Sequence, residues 1–355
     1  MLIVVLISLP TTLSLILWSL GYYVRRQKPK RSKIQSVNLG IIIPAHNEEK
    51  GIAKAIRSLN HFNRDVIVIA DNCSDTTAEV ALKEGASVIQ RESPIKGKPA
   101  ALNEAFSQLK GMNYSHYLII DADTEVSSNL VDEIEKQLER GFDLVQAHYT
   151  VKRHDPESRL YYLKLESMNH LRPKARQNLS LPPGCYGNGF AISKSIVDSF
   201  PFHEELAEDL SLFYELALNN KELVFTDRAY VLSEKPPHRE AEKIQSSRWD
   251  QGRFHLIKRY FWPLLKEFRL DLLVNLLTLP LSIYILLLIL IAFFYPYYSL
   301  MGFILILIHS IQTFRIAKGS KQDFFALKLI PKAFLLKLAN IPNLFKKVPW
   351  LRTPR

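Results

Sequence analysis

From Leu39 onward, short apolar runs alternate with amphipathic stretches, the pattern of consecutive βαβ units. Residues 40–45 read as a first buried strand stopped by Pro44, and Ile52, Ile56 and Leu59 follow at helical spacing. Residues 66–70 predict a second strand, and Asp75-Thr76-Thr77 reads as the cap of the next helix. A third strand is expected at residues 87–90 and a third helix at 99–109. A fourth strand, Tyr117-Leu118-Ile119-Ile120, delivers Asp121-Ala122-Asp123 at its end. Parallel strands bring such ends to one edge, so His46, Asn47 and Glu48, then Asp71 and Asp75, then Lys96 and Lys98, then the aspartate pair should collect there. The fold class expected is α/β, with a mostly parallel sheet.

The two ends of the chain are different in kind. Residues 1–24 contain no Asp, Glu, Lys or Arg, long enough to cross a hydrocarbon core of about 30 Å. The basic residues Arg25, Arg26, Lys28, Lys30, Arg31 and Lys33 come after this run rather than before it, which reads as an uncleaved anchor (1–24) and a basic linker (25–38). A second stretch, 272–314, is also free of these charged residues, and Tyr295-Pro296-Tyr297-Tyr298 divides it into candidate spans 272–293 and 298–314. Lys266 and Arg269 precede it; Arg315, Lys318 and Lys321 follow. By the positive-inside rule both flanks, and with them a domain over 39–265, face the cytoplasm of a multi-pass protein, expected in a bacterial inner membrane. Residues 322–355 mix Phe, Leu and Ile with Lys328, Lys332, Lys337, Lys346 and Lys347, an interfacial tail that Pro331 should break into two short or kinked helices.

Net charge is +11 over 355 residues. Many basic residues sit beside the apolar segments, which points to anionic membrane lipids as partners, and no zinc spacing or other nucleic-acid motif is present. Cys73 and Cys185 fit a reducing compartment without a disulfide.

Two carboxylates one residue apart repel unless a cation or donors use them, so Asp121 and Asp123 point to a divalent metal carrying a phosphorylated substrate. Lys98 opens a helix, where a cation opposes the macrodipole, and this local conflict points to an anionic partner. Asp75 reads as a helix cap; Asp71 sits at the strand terminus itself. Glu208 and Asp209 lie in an acidic cluster with Glu204 and Glu205 that runs into an apolar helix over 210–218. Gln245, Arg248 and Trp249 share one face of a helix, by spacings of three and four. The first strand is followed by neither GxGxxG nor GxxxxGK[ST], which argues against the common dinucleotide and P-loop sites. Residues 182–191 form a glycine-rich turn into a strand.

Ile42-Ile43-Pro44-Ala45-His46-Asn47-Glu48, Asp71-Asn72-Cys73-Ser74-Asp75-Thr76-Thr77, Gly97-Lys98-Pro99-Ala100-Ala101-Leu102-Asn103, Asp121-Ala122-Asp123, Ala207-Glu208-Asp209 and Gln245-Ser246-Ser247-Arg248-Trp249 resemble, in order, the blocks of family 2 glycosyltransferases with a QxxRW motif. That subgroup includes cellulose, chitin and hyaluronan synthases and ceramide glucosyltransferase-like enzymes. The resemblance implies a GT-A fold, a nucleotide-diphosphate sugar donor, expected as a UDP-sugar, and inversion at the anomeric carbon. It places Pro44, Glu48, Asp71, Lys98 and Asp121 at the nucleotide sugar, Asp71 at the base and Asp121 beside the ribose. Asp123, with Asp121, would hold Mg²⁺ or Mn²⁺. Asp209 would be the catalytic base, and Glu208, Gln245, Arg248 and Trp249 would bind acceptor or diphosphate, with Trp249 as acceptor platform. The glycine-rich turn departs from the form in cellulose and chitin synthases.

The function expected is membrane-bound inverting sugar transfer to a polysaccharide or lipid-linked acceptor in cell-surface polysaccharide synthesis, with a non-processive glycolipid glycosyltransferase as the alternative. Three spans are few to enclose a channel, so a polysaccharide product calls for a homo-oligomer or synthase complex. Two other classes stay open: an inactive membrane scaffold or subunit, and a nucleotidyltransferase, which would leave Glu208, Asp209 and the QxxRW residues without roles.

Overall fold

A computed structural model describes residues 1–24, 36–203, 206–236 and 239–339. The basic run Arg25, Arg26, Lys28, Lys30, Arg31 and Lys33, the acidic Glu204 and Glu205, and the end of the tail with Lys346 and Lys347 lie outside the described residues.

In chain order the strands are β1 (Leu39–Ala45), β2 (Val66–Asp71), β3 (Ser87–Arg91), β4 (His116–Ile119), β5 (Glu125–Val126), β6 (Leu144–Val151), β7 (Phe190–Ser193) and β8 (Leu223–Ser233). The helices are α1 (Leu2–Tyr23), α2 (Ile52–Leu59), α3 (Thr77–Lys83), α4 (Lys98–Gln108), α5 (Leu130–Leu138), α6 (Pro156–Glu166), α7 (Arg172–Asn178), α8 (Lys194–Ser199), α9 (Glu208–Leu218), α10 (Arg239–Lys266), α11 (Leu270–Leu277), α12 (Leu281–Ala292), α13 (Pro296–Ile316), α14 (Lys321–Ala326) and α15 (Ile330–Ala339). The chain forms two compact units: residues 28–151 with 184–234, and residues 1–27 with 152–183 and 235–355. This division differs from a domain running unbroken over 39–265, because 152–183 and 235–265 belong with the apolar helices.

The first unit is the α/β sheet, in the order β3-β2-β1-β4-β7-β6-β8-β5 among the described residues. Strands β1 to β4 are mutually parallel, β7 runs against both β4 and β6, and β6 pairs parallel with β8. Ile41, Ile43, Val68, Leu118 and Ile120 form the core with Ile52, Ile56 and Leu130 of the covering helices. Because β1 to β3 build outward on one side and β4 starts the other, the β1/β4 junction is a topological switch point, where such sheets bind ligands. Pro44 does not stop β1. It pairs with Ile69 of β2, while the β4 ladder ends at Ile42 and Ile119, so the missing N–H falls where the strand is paired on one side only.

The second unit holds the apolar helices. α1 and α13 are long and apolar enough to cross a membrane, and α11 with α12 makes a third candidate only if a pair bent by 87° counts as one span. The helix expected at 272–293 is two helices, α11 and α12. Pro280 has no N–H to continue the helix and holds Leu279 out of the α region, and Thr278 is extended. The groups freed by the bend find partners: Leu279 N–H donates to Thr11 Oγ1 (2.8 Å), Arg253 Nη1 donates to the Thr278 carbonyl (2.8 Å), and Thr278 Oγ1 meets Ser14 Oγ (2.6 Å).

Burial in α1 is inverted relative to a soluble helix. Ser8, Thr11, Thr12 and Ser14 are buried, while Leu2, Ile3, Leu6, Ile7 and Leu20 are exposed. Thr12 Oγ1 meets both Tyr284 and Tyr298 hydroxyls at 2.8 Å, and Ser8 Oγ meets Tyr298 at 2.8 Å. α13 repeats the inversion, burying Ser299, His309, Gln312 and Thr313 and exposing Leu300, Phe303, Ile304 and Leu307. Farther on, α14 and α15 are joined by a turn at Leu327–Leu329, and Pro331 falls in the first turn of α15, where its missing N–H costs nothing, rather than at the break.

Candidate active site

The ends of β1, β2 and β4 carry the donor-side candidates. Asp71 ends β2 in register with Arg91 at the end of β3. Arg91 Nη1 donates to Asp71 Oδ1 at 2.5 Å, as does Asn72 Nδ2 at 2.8 Å. The Gly97 amide approaches Asp71 Oδ2 at 3.4 Å. His46 Nδ1 lies 2.6 Å from the Asp71 carbonyl, and the Glu48 amide donates to Thr77 Oγ1 at 2.7 Å, so the loops after β1 and β2 interlock. Asp75 lies just before Thr76, the N-cap of α3, rather than capping the helix itself; burial works against its charge, but the Thr77 hydroxyl and the Thr77 and Glu49 amides donate to it and hold its carboxyl below the usual range. Pro44 is half-buried within β1.

Asp121 and Asp123 flank buried Ala122 just beyond β4, each half-buried. The turn is pinned by Asn188, which is 1% exposed. Asn188 Oδ1 accepts the Asp121 amide (3.0 Å), and its Nδ2 donates to Thr124 Oγ1 (2.9 Å). Gln146 in turn donates to the Asn188 carbonyl and accepts from the Tyr186 amide. Neither Asn188 nor Gln146 is singled out by sequence patterning. The Gly187-Asn188-Gly189 spacing is the available signal, because both glycines take positive φ (+73° and +67°), which frees the asparagine between them to face inward.

Lys98 finds its anionic partner within the chain. Its ammonium donates to Asp121 Oδ1 and to the Gly187 carbonyl, each at 2.5 Å. Burial works against that charge, but Asp121 and Glu208 outweigh it and hold the lysine above its ordinary pKa. Close to Gly187 stands Asp209, in the first turn of α9. A Cβ on Gly187 would lie 3.1 Å from Asp209 Oδ2. Burial first, then the Glu208 carboxylate, push Asp209 up to about 7, against the pull of the Leu210 amide and Lys98. Buried Cys185, close by, has its thiol pushed up by burial and is inert; both cysteines are free. Lys98, Asp121, Gly187, Glu208 and Asp209 thus form one constellation, in which a carboxylate able to exchange a proton near neutrality adjoins a cation-bridged aspartate.

The remaining candidates lie in the other unit. Gln245 accepts from the Tyr161 hydroxyl of α6 at 2.9 Å, and the Trp249 ring lies under the Lys164 ammonium at 5.1 Å. Arg248 Nε is buried without a hydrogen-bond partner.

Residues 40–200 match the model of Glycosyl transferase family 2. The chain is 34% identical over 113 residues to Protein RfbJ of Shigella flexneri, covering 31% of this chain and 84% of that one. It is 31% identical over 159 residues to 4,4'-diaponeurosporenoate glycosyltransferase of Staphylococcus haemolyticus, covering 41% of this chain and 42% of that protein, so less than half of the latter's length is spanned. Among solved structures, glucosyl-3-phosphoglycerate synthase from Mycobacterium tuberculosis, in complex with Mn²⁺, UDP and phosphoglyceric acid, is similar at 18% identity and TM-score 0.49, over 67% of this chain and 86% of that one. Mannosyl-3-phosphoglycerate synthase from Rubrobacter xylanophilus is similar at 18% identity and TM-score 0.46, over 63% and 75%. The chain belongs to glycosyl transferase family 2 and is a glycosyltransferase built on a GT-A-like α/β sheet.

Proposed function

We propose that this protein is a membrane-embedded, inverting glycosyltransferase of the QxxRW subgroup, taking a UDP-sugar on the cytoplasmic side and passing the sugar to a lipid-linked acceptor. The observation that carries the transfer chemistry is the constellation in which Asp209, with its pKa near 7, lies against Gly187, whose carbonyl accepts from the Lys98 that pairs with Asp121. The inverted burial of α1 and α13 supports membrane embedding, since lipid is the solvent that leaves Leu and Ile faces stable outside and hydroxyls inside.

Asp121 and Asp123 offer hard oxygen ligands at a sheet edge, the donor set that Mg²⁺ or Mn²⁺ uses when the substrate's phosphates complete its shell. Lys98 occupies one oxygen of Asp121 and so fixes the carboxylate's direction while cancelling part of the pair's repulsion. The residues fit a divalent ion, which when bound would stabilise charge on the departing nucleoside diphosphate. Asp71, Glu48 and Pro44, on the ends of β1 and β2, receive the nucleotide. Asp209 takes the proton of the acceptor's nucleophilic oxygen as the new bond forms, and Glu208 keeps that carboxylate basic enough to do so. Gln245, Arg248 and Trp249 serve the acceptor and diphosphate.

A lipid acceptor is favoured over a growing polysaccharide because at most three candidate spans occur among the described residues. These are few to enclose a channel without a homo-oligomer or synthase complex. The staphylococcal relatives are also named for 4,4'-diaponeurosporenoate rather than for a polysaccharide. The test is a screen of nucleotide sugars against purified protein, reading nucleoside diphosphate release with a lipid extract as acceptor. Release is expected with UDP-sugars and Mg²⁺ or Mn²⁺ and not with EDTA; undiminished release in EDTA would remove the metal, and no release from any donor would remove the reading.

A further inference from the structure

Around Trp249, in the unit that holds the apolar helices, two lysines sit in contrasting states. Lys337 of α15 is matched: its ammonium donates to Ser246 Oγ (2.7 Å) and to the Asp250 carboxylate. Lys164 of α6 is exposed and makes no hydrogen bond or ion pair among the described residues. Its ammonium instead lies 5.2 Å from the centre of the Tyr161 ring and 5.1 Å from that of Trp249. Two aromatic faces hold a cation while leaving its N–H donors to point elsewhere. The turn of α10 that carries Trp249 also holds Arg248, whose buried Nε has no partner.

We propose that Lys164, between the rings of Tyr161 and Trp249, is the receiving site for an anionic group of an amphipathic acceptor, a phosphate or carboxylate on an apolar chain, separate from the hydroxyl that takes the sugar. A compact ammonium suits a terminal oxyanion as a point charge, and the rings give the first carbons of the chain an apolar wall. The two heads share the chemistry that Lys164 reads. This inference rests on the lipid-acceptor reading above and assigns that acceptor its charge.

The test is binding, so that it stands apart from sugar transfer. The full chain in phosphatidylcholine nanodiscs is titrated with farnesyl phosphate, farnesoic acid and farnesol, with empty nanodiscs as baseline. At least one anionic probe is expected to bind tenfold or more tightly than farnesol, and the tighter of the two identifies the head. Lys164→Met should erase that margin while leaving farnesol binding unchanged, and Lys164→Arg should restore it. Equal binding of all three probes, or a margin that survives in Lys164→Met, overturns the proposal. So does a Lys164→Met variant whose only defect is a raised KM for the nucleotide sugar, which would assign the ammonium to the donor diphosphate. If no nucleotide sugar supports transfer but the charge margin is present, the functional reading fails and the site stands.

Discussion

At the residue scale, Asp209 makes the sharpest prediction. Its carboxyl is raised to about 7, so it is protonated and unable to accept a proton below that pH and becomes competent above it. The profile of kcat/KM should climb through an apparent pKa near 7 that belongs to the Glu208–Asp209 pair, and then level off. Asp209→Asn should lower kcat by about 10²–10⁴-fold and abolish that limb; an unchanged limb in the variant would transfer the base role elsewhere. Asn188 makes a second prediction. Asn188→Ala strips the Asp121 amide and Thr124 Oγ1 of a buried partner, a loss of about 1–3 kcal/mol. Thermal unfolding should report that loss, and a higher Mg²⁺ requirement for transfer should report the loosened aspartate turn. The candidate residues at strand ends were legible because apolar runs announce where strands stop. Lys98 was legible only as a cation lacking a partner. That the partner is Asp121 depends on β4 lying next to β1, which no local pattern encodes.

At the element scale, the βα alternation up to Asp123 follows from periodicity alone, and β1 to β4 lie where the apolar runs predict. β7 does not follow, since its place between β4 and β6 comes from pairing across a long stretch of chain. Gly189 shows how tightly it is fitted: with φ +67°, an added Cβ would lie 2.7 Å from two methyl carbons of Val231. Gly189→Ala should therefore cost about 1–3 kcal/mol, measured as a lowered unfolding midpoint, and a midpoint equal to wild type would show that β8 yields. The bend at Thr278 to Pro280 was hidden for another reason. Hydropathy counts apolar residues without regard to direction, and a run free of charge reads as one span even where a proline turns the axis. Conversely, the Thr313 hydroxyl is buried without a hydrogen-bond partner, so the near-isosteric Thr313→Val should stabilise the protein by about 1 kcal/mol. A destabilised Thr313→Val would indicate that an ordered water serves that hydroxyl.

At the scale of the whole molecule, the sequence boundary at 265 followed motif order, whereas the compact units follow packing. The chain leaves the sheet at Lys152, returns at Gly184 and leaves again at Lys235. The expected topology makes a direct prediction. A cysteine at Tyr297, which is 87% exposed at the start of α13, should react with a membrane-impermeant maleimide on intact cells, while Cys73 should react only after lysis. The reverse pattern would turn the protein over in the membrane. The inverted face of α1 also bears on how the protein is made. Ser8 and Thr12 find their tyrosine partners at Tyr298, 290 and 286 residues later. In the membrane setting proposed above, at about 5–20 residues per second of synthesis, the first span waits roughly a quarter of a minute to a minute for those partners, its Ser8 and Thr12 hydroxyls bonded meanwhile to the Val5 and Ser8 carbonyls of α1 itself. During that interval these internal bonds let α1 stand alone as a span, so its docking onto the later helices is a step separate from its insertion.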